Sequence, residues 1–172
     1  MTTSGPSPDT SPDVPEKVRH EEPELFVRHA GRVILLDPDG RVLLMRYDDG
    51  PPNGIHWSTP GGGLDQGEDY AAGAARELAE ETGWTDITLQ GEIFRRSHVM
   101  EHAEMIVRQV ERFYLARTGV PRREILGVDA MHDSDGIAAW RWWSAEELEA
   151  TAETIWPAEL ATLVRSAQPR PT

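Results

Sequence analysis

The chain has 172 residues, 38% of them hydrophobic and 27% charged, which is enough to bury one core without a disulfide or a partner subunit. It contains no cysteine, so disulfides, thiolate metal sites and cysteine nucleophiles are excluded, and carboxylates and six histidines remain as candidate ligands. A formal net charge of −13 at pH 7 works against non-specific nucleic-acid binding, which needs basic surface, but leaves small anionic substrates accessible through a bridging cation.

Residues 1–23 carry five of the thirteen prolines together with Ser, Thr and Asp, a composition too poor in apolar groups to fold alone and read as a disordered tail. They lack the apolar core of a signal peptide, and no later stretch reaches the roughly eighteen apolar residues of a membrane helix. A cytoplasmic protein with no membrane contact is expected. From His29 onward, GRVILLD and RVLLMRY are β-rich runs joined across Pro38-Asp39-Gly40 as a hairpin. DDGPPNG reads as a loop, IHWSTP as at most a short strand, and the three glycines after it as loose chain.

Asp69 to Thr82 is alanine-rich and helical by propensity, with Gly83 placed to stop it in a left-handed conformation. ITLQGEIFRRSHVM and AEMIVRQVERFYLAR read as paired central strands with a reversal at Glu101 to Ala103. TGVPRREILGVDAMHDSDG is loop-like, AAWRWWS is a short aromatic strand, and Ser144 caps a helix beginning AEELEA. A last helix is predicted from Pro157 to about Ser166. Strands interleaved with helices, without a repeat, indicate a mixed α/β single domain over residues 24–167, with 168–172 as a short tail.

The predicted helix at 69–82 crowds Glu77, Glu80 and Glu81 into a sector of about 100°, bordering a small-residue stripe of Ala71, Ala74, Ala75 and Leu78. Like charges at these spacings repel by ~0.2–0.5 kcal/mol per pair, and they sit where the helix dipole already disfavours negative charge. A hard divalent cation would turn that repulsion into attraction. Arg76 is the only close base. Upstream, PGGGLDQGE is a glycine-dense approach suited to a phosphate. Gly73 lies in the acidic sector, where its missing side chain either admits a phosphate or metal or is merely tolerated.

Gly62, five residues, Glu68, seven residues, then Arg76-Glu77-Leu78-Ala79-Glu80-Glu81-Thr82-Gly83-Trp84 resembles the signature of the Nudix hydrolase family with every fixed position filled. Trp84 is aromatic where the family usually has an aliphatic residue, and can still pack over Ala79 in the helix cap. The resemblance implies an α/β/α sandwich around a mixed β-sheet and Mg²⁺- or Mn²⁺-dependent hydrolysis of a diphosphate linked to another moiety, usually a nucleoside. It implies Glu77, Glu80 and Glu81 as metal-binding or base-bearing carboxylates, with Arg76 orienting one of them. Glu68 would tie loop to helix, Gly83 would end the helix, and Gly61, Gly62 and Gly63 would approach the substrate. Which glutamate takes the proton is open.

Other signals are weaker. Asp37 to Gly40 fits a hairpin turn better than a calcium loop. His98, Glu101, His102 and Glu104 gather near a strand reversal, as phosphate contacts or as an exposed polar turn. Trp140 and Trp142 share one strand face and Trp143 takes the other, for base stacking or for the core. Glu124, Asp129, Asp133 and Asp135 offer an additional acidic ligand that spacing does not single out. The positions where ADP-ribose-specific members carry a proline and dinucleoside-polyphosphate members a tyrosine are Val99, Met100 and Glu101 here. The acidic balance also argues against capped RNA. The expected activity is therefore cleavage of a diphosphate bond in a small nucleoside-diphosphate-linked compound, with no nucleic-acid partner and a homodimer left open. The alternative is a non-catalytic nucleotide-sensing domain. An isoprenoid diphosphate isomerase, which shares the fold, relies on a cysteine that this chain lacks, and an acidic interaction module would need no metal.

Overall fold

The computed structural model describes residues 25–126 and 136–168. The proposed tail at 1–23, the end of the chain from 169, and Asp129, Asp133 and Asp135 lie outside these residues. Among the described residues eight strands form one mixed sheet: β1 (Phe26–Leu36), β2 (Val42–Asp48), β3 (Ile55–Ser58), β4 (Gly61–Gly63), β5 (Leu89–His102), β6 (Met105–Arg117), β7 (Ile137–Trp143) and β8 (Ile155–Trp156). The helices among the described residues are α1 (Tyr70–Thr82), α2 (Ala145–Ala150) and α3 (Leu160–Ala167). None of the described helices is long and apolar enough to cross a membrane.

The strand path runs β5-β6-β1-β2-β3-β8, with β4 paired to β1 and β7 to β2. The alternation along β1 and β2 creates two cores. Val33, Leu35, Leu43 and Met45 face one side and pack with Ala74 and Leu78 of α1 and with Trp84 and Trp142. Ile34, Leu36, Val42 and Leu44 face the other and pack with Trp143, Leu148 of α2 and Leu160 and Val164 of α3. This is an α/β/α sandwich around a mixed sheet, and each fully buried aliphatic side chain contributes about 1.5–3 kcal/mol. The tryptophans of β7 divide between the two cores as their alternation predicts.

The turn between β1 and β2 is held by Asp37, whose Oδ1 accepts from the Asp39 and Arg41 amides at 2.9 Å, with Gly40 at φ 76°. The two strands then share a single register pair, Leu36 with Val42, before parting. β1 runs parallel to β6 along its whole length, while β2 pairs with β3 and β7. This divergence opens the sheet beside the first seven residues of β1, which include the polar Arg28 and Arg32.

Three expectations need correction. The glycines at 61–63 are not loose but form β4, antiparallel to Ala30-Gly31-Arg32. A Cβ at Gly61 would lie 2.2 Å from the Gly31 carbonyl oxygen, and its φ is 138°, so only glycine allows this strand to come so close. Strand β5 pairs with β6 as expected but ends the strand path rather than lying centrally, and its reversal falls at Ala103 and Glu104, both with positive φ. The last helix starts at Leu160, because the Leu160 amide donates to the Pro157 carbonyl at 3.1 Å in a preceding turn.

Two elements follow their local chemistry closely. Asp69 Oδ1 accepts from the Ala72 amide at 2.8 Å to start α1, and Gly83 at φ 74° ends it with its amide on Ala79. Ser144 and Glu147 form a reciprocal capping box for α2.

Candidate active site

Helix α1 lies over β1 and β4 through small residues. A Cβ on Gly31 would fall 2.3 Å from the Tyr70 carbonyl oxygen, so β1 needs a glycine for α1 to lie this close. The packed face comprises Gly73, Ala74, Leu78, Glu81 and Thr82, rotated towards the acids relative to the expected stripe, with Ala75 left exposed. The three glutamates therefore occupy three environments rather than one charged border.

Glu81 is only 4% exposed. Its Oε1 accepts from the Tyr47 hydroxyl at 2.7 Å and its Oε2 from the Gly61 amide at 2.9 Å. Burial pushes its pKa up to about 8 despite those hydrogen bonds and the charge of Arg32. Glu77 is partly buried, and its pKa is raised by burial against the opposing pull of Arg76. Its carboxylate lies over Gly62, where a Cβ would be 2.6–2.7 Å from the carboxyl atoms. Glu80 points away, 56% exposed.

Arg76 organises this surface. Its Nε and Nη2 donate to the two oxygens of Glu68 at 3.0 and 2.9 Å, Nη1 donates to Glu77 at 2.9 Å and Glu80 at 3.0 Å, and Nη2 also donates to the Gly63 carbonyl. Glu68 in turn accepts from the Asp65 amide at 2.9 Å, so approach loop, β4 and helix are joined through one guanidinium. Gly73 serves this junction rather than a ligand. A Cβ there would sit 2.3 Å from Leu64 and 3.0 Å from Glu68, so the space is already filled by protein.

Glu77, Glu81 and Gly61 to Gly63 line a cavity of about 330 Å³ together with Arg28, Arg32, Tyr47 and His102. The donor set fits a hard divalent cation: two carboxylates meet over a strand stripped of side chains, with room for water and phosphate oxygens. Glu80 is not part of this wall, and the described residues hold no group of three or more His, Cys, Asp or Glu in ligating geometry. Glu124 is exposed and faces a separate cavity with Arg41, Arg122 and Trp140. His98 and Glu101 line a larger neighbouring cavity of about 660 Å³.

Several site residues escaped the sequence reading. Arg32 donates to Glu111 at 2.9 Å and to the Thr59 and Gly61 carbonyls, holding β4 in place. Burial alone would lower its pKa, but Glu111, Tyr47 and Glu81 together outweigh burial and raise it. Glu111 is fully buried. Burial would raise its pKa, yet Arg32 and Arg96 bring it down to about 2. Arg28 bonds Gln109 at 2.6 Å and faces the cavity. The signal was present in β6, where Gln109 and Glu111 alternate on the same face as Val107 and Phe113, polar residues at positions that a two-residue period turns inward.

The NUDIX domain family model matches residues 26–164 of this chain. An RNA pyrophosphohydrolase of Novosphingobium aromaticivorans is 31% identical over 128 residues, covering 67% of this chain and 76% of that protein. One from Acidiphilium cryptum is 33% identical over 126 residues, covering 66% and 73%. One from Caulobacter vibrioides is 52% identical over 60 residues, so the match spans only 34% of each chain. Among solved structures, the E. coli dihydroneopterin triphosphate pyrophosphohydrolase superposes with a TM-score of 0.62 at 19% identity, covering 84% of this chain and 97% of that one. A MutT protein from Methanosarcina mazei Go1 superposes with a TM-score of 0.61 at 19% identity, covering 83% and 94%. At such identities the likeness is one of fold.

Proposed function

This chain belongs to the Nudix hydrolase family, and from that premise we propose that it is a Mg²⁺- or Mn²⁺-dependent pyrophosphohydrolase that cleaves the diphosphate bond of a nucleoside-diphosphate-linked compound. The observation that carries the reading is the meeting of Glu77 and Glu81 over the glycine strand β4, in a cavity that opens into a second one large enough for a nucleoside. Glu77 and Glu81 would hold the cation, and Glu80, outside the cavity wall, is tied to Glu77 through Arg76 Nη1. When bound, the cation neutralises charge on the phosphates and acidifies the attacking water.

The protein's own residues supply the rest. Gly61 to Gly63 leave the diphosphate free of side chains on one side, and Arg28 offers a guanidinium with no carboxylate bonded to it among the described residues. Arg76 keeps Glu77 turned towards the cavity, and Tyr47 fixes one oxygen of Glu81.

The names of the relatives favour a second substrate reading, the 5′ end of RNA. The expectation of no nucleic-acid partner rested on the net charge of −13, which opposes long contacts along a strand but not entry of one terminal nucleotide. A substrate panel separates the readings. Nucleoside di- and triphosphates, ADP-ribose, sugar nucleotides and 5′-triphosphorylated RNA oligonucleotides are incubated with Mg²⁺, with Mn²⁺ or with EDTA, and the products identified. Metal-dependent release of phosphate, pyrophosphate or nucleotide from one class assigns it. Nucleotide binding with no turnover on any substrate would leave the non-catalytic sensing domain.

A further inference from the structure

The larger cavity enters the reading above only as space for a nucleoside, with no role given to its side chains. It shares Arg32, Asp49, His56, Met100 and Gln109 with the carboxylate cavity, so a ligand whose phosphates lie at Glu77 and Glu81 continues into it. Its walls include the apolar side chains Val99 and Ile106, both more than half exposed, and the indole of Trp156 at 40% exposure. Trp57, Trp84, Trp142 and Trp143 are all in the cores. Trp156 instead ends a two-residue strand and turns a large aromatic surface to an open cavity.

The polar atoms beside it are unevenly committed. Both oxygens of Glu111 are taken, Oε1 by Arg32 and Gln109 and Oε2 by Arg96, so this carboxylate has little left to offer a ligand. Arg96 spends only its Nε on Glu111. Its two terminal amino groups make no hydrogen bond to the described residues, and its Cζ lies 5.7 Å from the Trp156 ring centroid. An aromatic plate therefore stands next to a fork that can only donate.

We propose that this cavity is a nucleobase subsite selective for guanine, with Trp156 as the stacking surface and Arg96 donating to O6 and N7. The inference rests on the nucleotide reading of the adjoining site. Guanine presents two acceptors on one edge, matching a guanidinium fork, whereas adenine and cytosine place an amino donor there. Uracil offers an acceptor without the second ring that supplies N7 and the fuller stack.

The test measures binding in EDTA, so it does not depend on turnover. GMP, AMP, CMP and UMP are titrated by calorimetry and by quenching of tryptophan fluorescence. GMP is expected to bind roughly ten- to a hundredfold more tightly than AMP. Arg96→Lys, which retains the charge that holds Glu111, should bring GMP and AMP to within about twofold, as expected for loss of a bidentate pair. Trp156→Leu should weaken both purines alike and abolish the quench, and Trp156→Phe should recover part of the affinity. Thermal melts confirm that each variant folds, and Trp156→Phe alone carries the stacking test if the leucine variant does not. Equal affinity for GMP and AMP, a guanine preference kept by folded Arg96→Lys, or no nucleotide binding at millimolar concentration overturns the proposal. Guanine-selective binding without hydrolysis would sink the hydrolase reading and leave the subsite standing, and metal-dependent turnover without base preference would do the reverse.

Discussion

At the scale of single residues, the three glutamates that look alike in RELAEETG differ in burial and in hydrogen-bond partners. Burial raises the pKa of both Glu77 and Glu81, and the ionisation of Glu81 opposes folding the more. Its pKa is about 8 in the metal-free fold against an ordinary value near 4.5, so stability is undiminished below about pH 4.5 and is lost as pH rises through about 8. Glu81→Gln should therefore melt higher than the wild type in EDTA, with a gap that grows between those pH values and levels off above them. The same variant should lose about 10²–10⁴-fold in kcat if the carboxylate handles the proton; calorimetry and steady-state rates check the two halves separately. Glu111 has the opposite linkage. With a folded pKa of about 2, its contribution is complete above about pH 4.5 and disappears as pH falls to about 2. Glu111→Gln leaves two partly buried guanidinium groups facing a neutral amide and should cost about 1–3 kcal/mol near neutral pH. Urea titrations from pH 2.5 to 7 should show the gap to wild type closing on acidification. The sequence identified Glu81 as a member of a set. Its separation from Glu80 came from Tyr47 and Gly61, which are distant along the chain.

At the scale of elements, local rules worked where the determining contact was local. The Gly83 stop and the Ser144 cap were legible because each joins residues within a few positions. The glycine strand was not. Gly61 to Gly63 have low strand propensity, and pairing with β1 overrides it because β1 itself carries Gly31 and allows α1, β1 and β4 to approach. Replacing Gly31 by Ala puts a methyl group against the Tyr70 carbonyl and the Ala74 amide. We expect a loss of about 1–3 kcal/mol, measured by chemical denaturation, together with loss of activity, because the carboxylates move with α1. An unchanged midpoint would show that α1 can shift without cost.

At the scale of the whole molecule, charge governs which substrates arrive. With −13 at pH 7, the protein repels a polyanion at long range. If a 5′-triphosphorylated RNA is the substrate, kcat/KM should rise as salt increases from about 10 to 150 mM, where the screening length contracts to about 8 Å, and should rise more steeply for longer oligonucleotides. A fall with salt would show that local cations such as Arg28 and Arg96 dominate the encounter. What the sequence by itself determined was the family, the helix that bears the three glutamates and the mixed α/β class, because these reside in spacing and periodicity. What only the tertiary structure decided was which two of the three acids share a cavity, what neutralises the buried Glu111, and where Trp156 turns its face. Each of these depends on β1, β6 and β8 meeting residues far away in sequence, and burial sets the energy of a charge or the use of an aromatic ring only once those elements are packed.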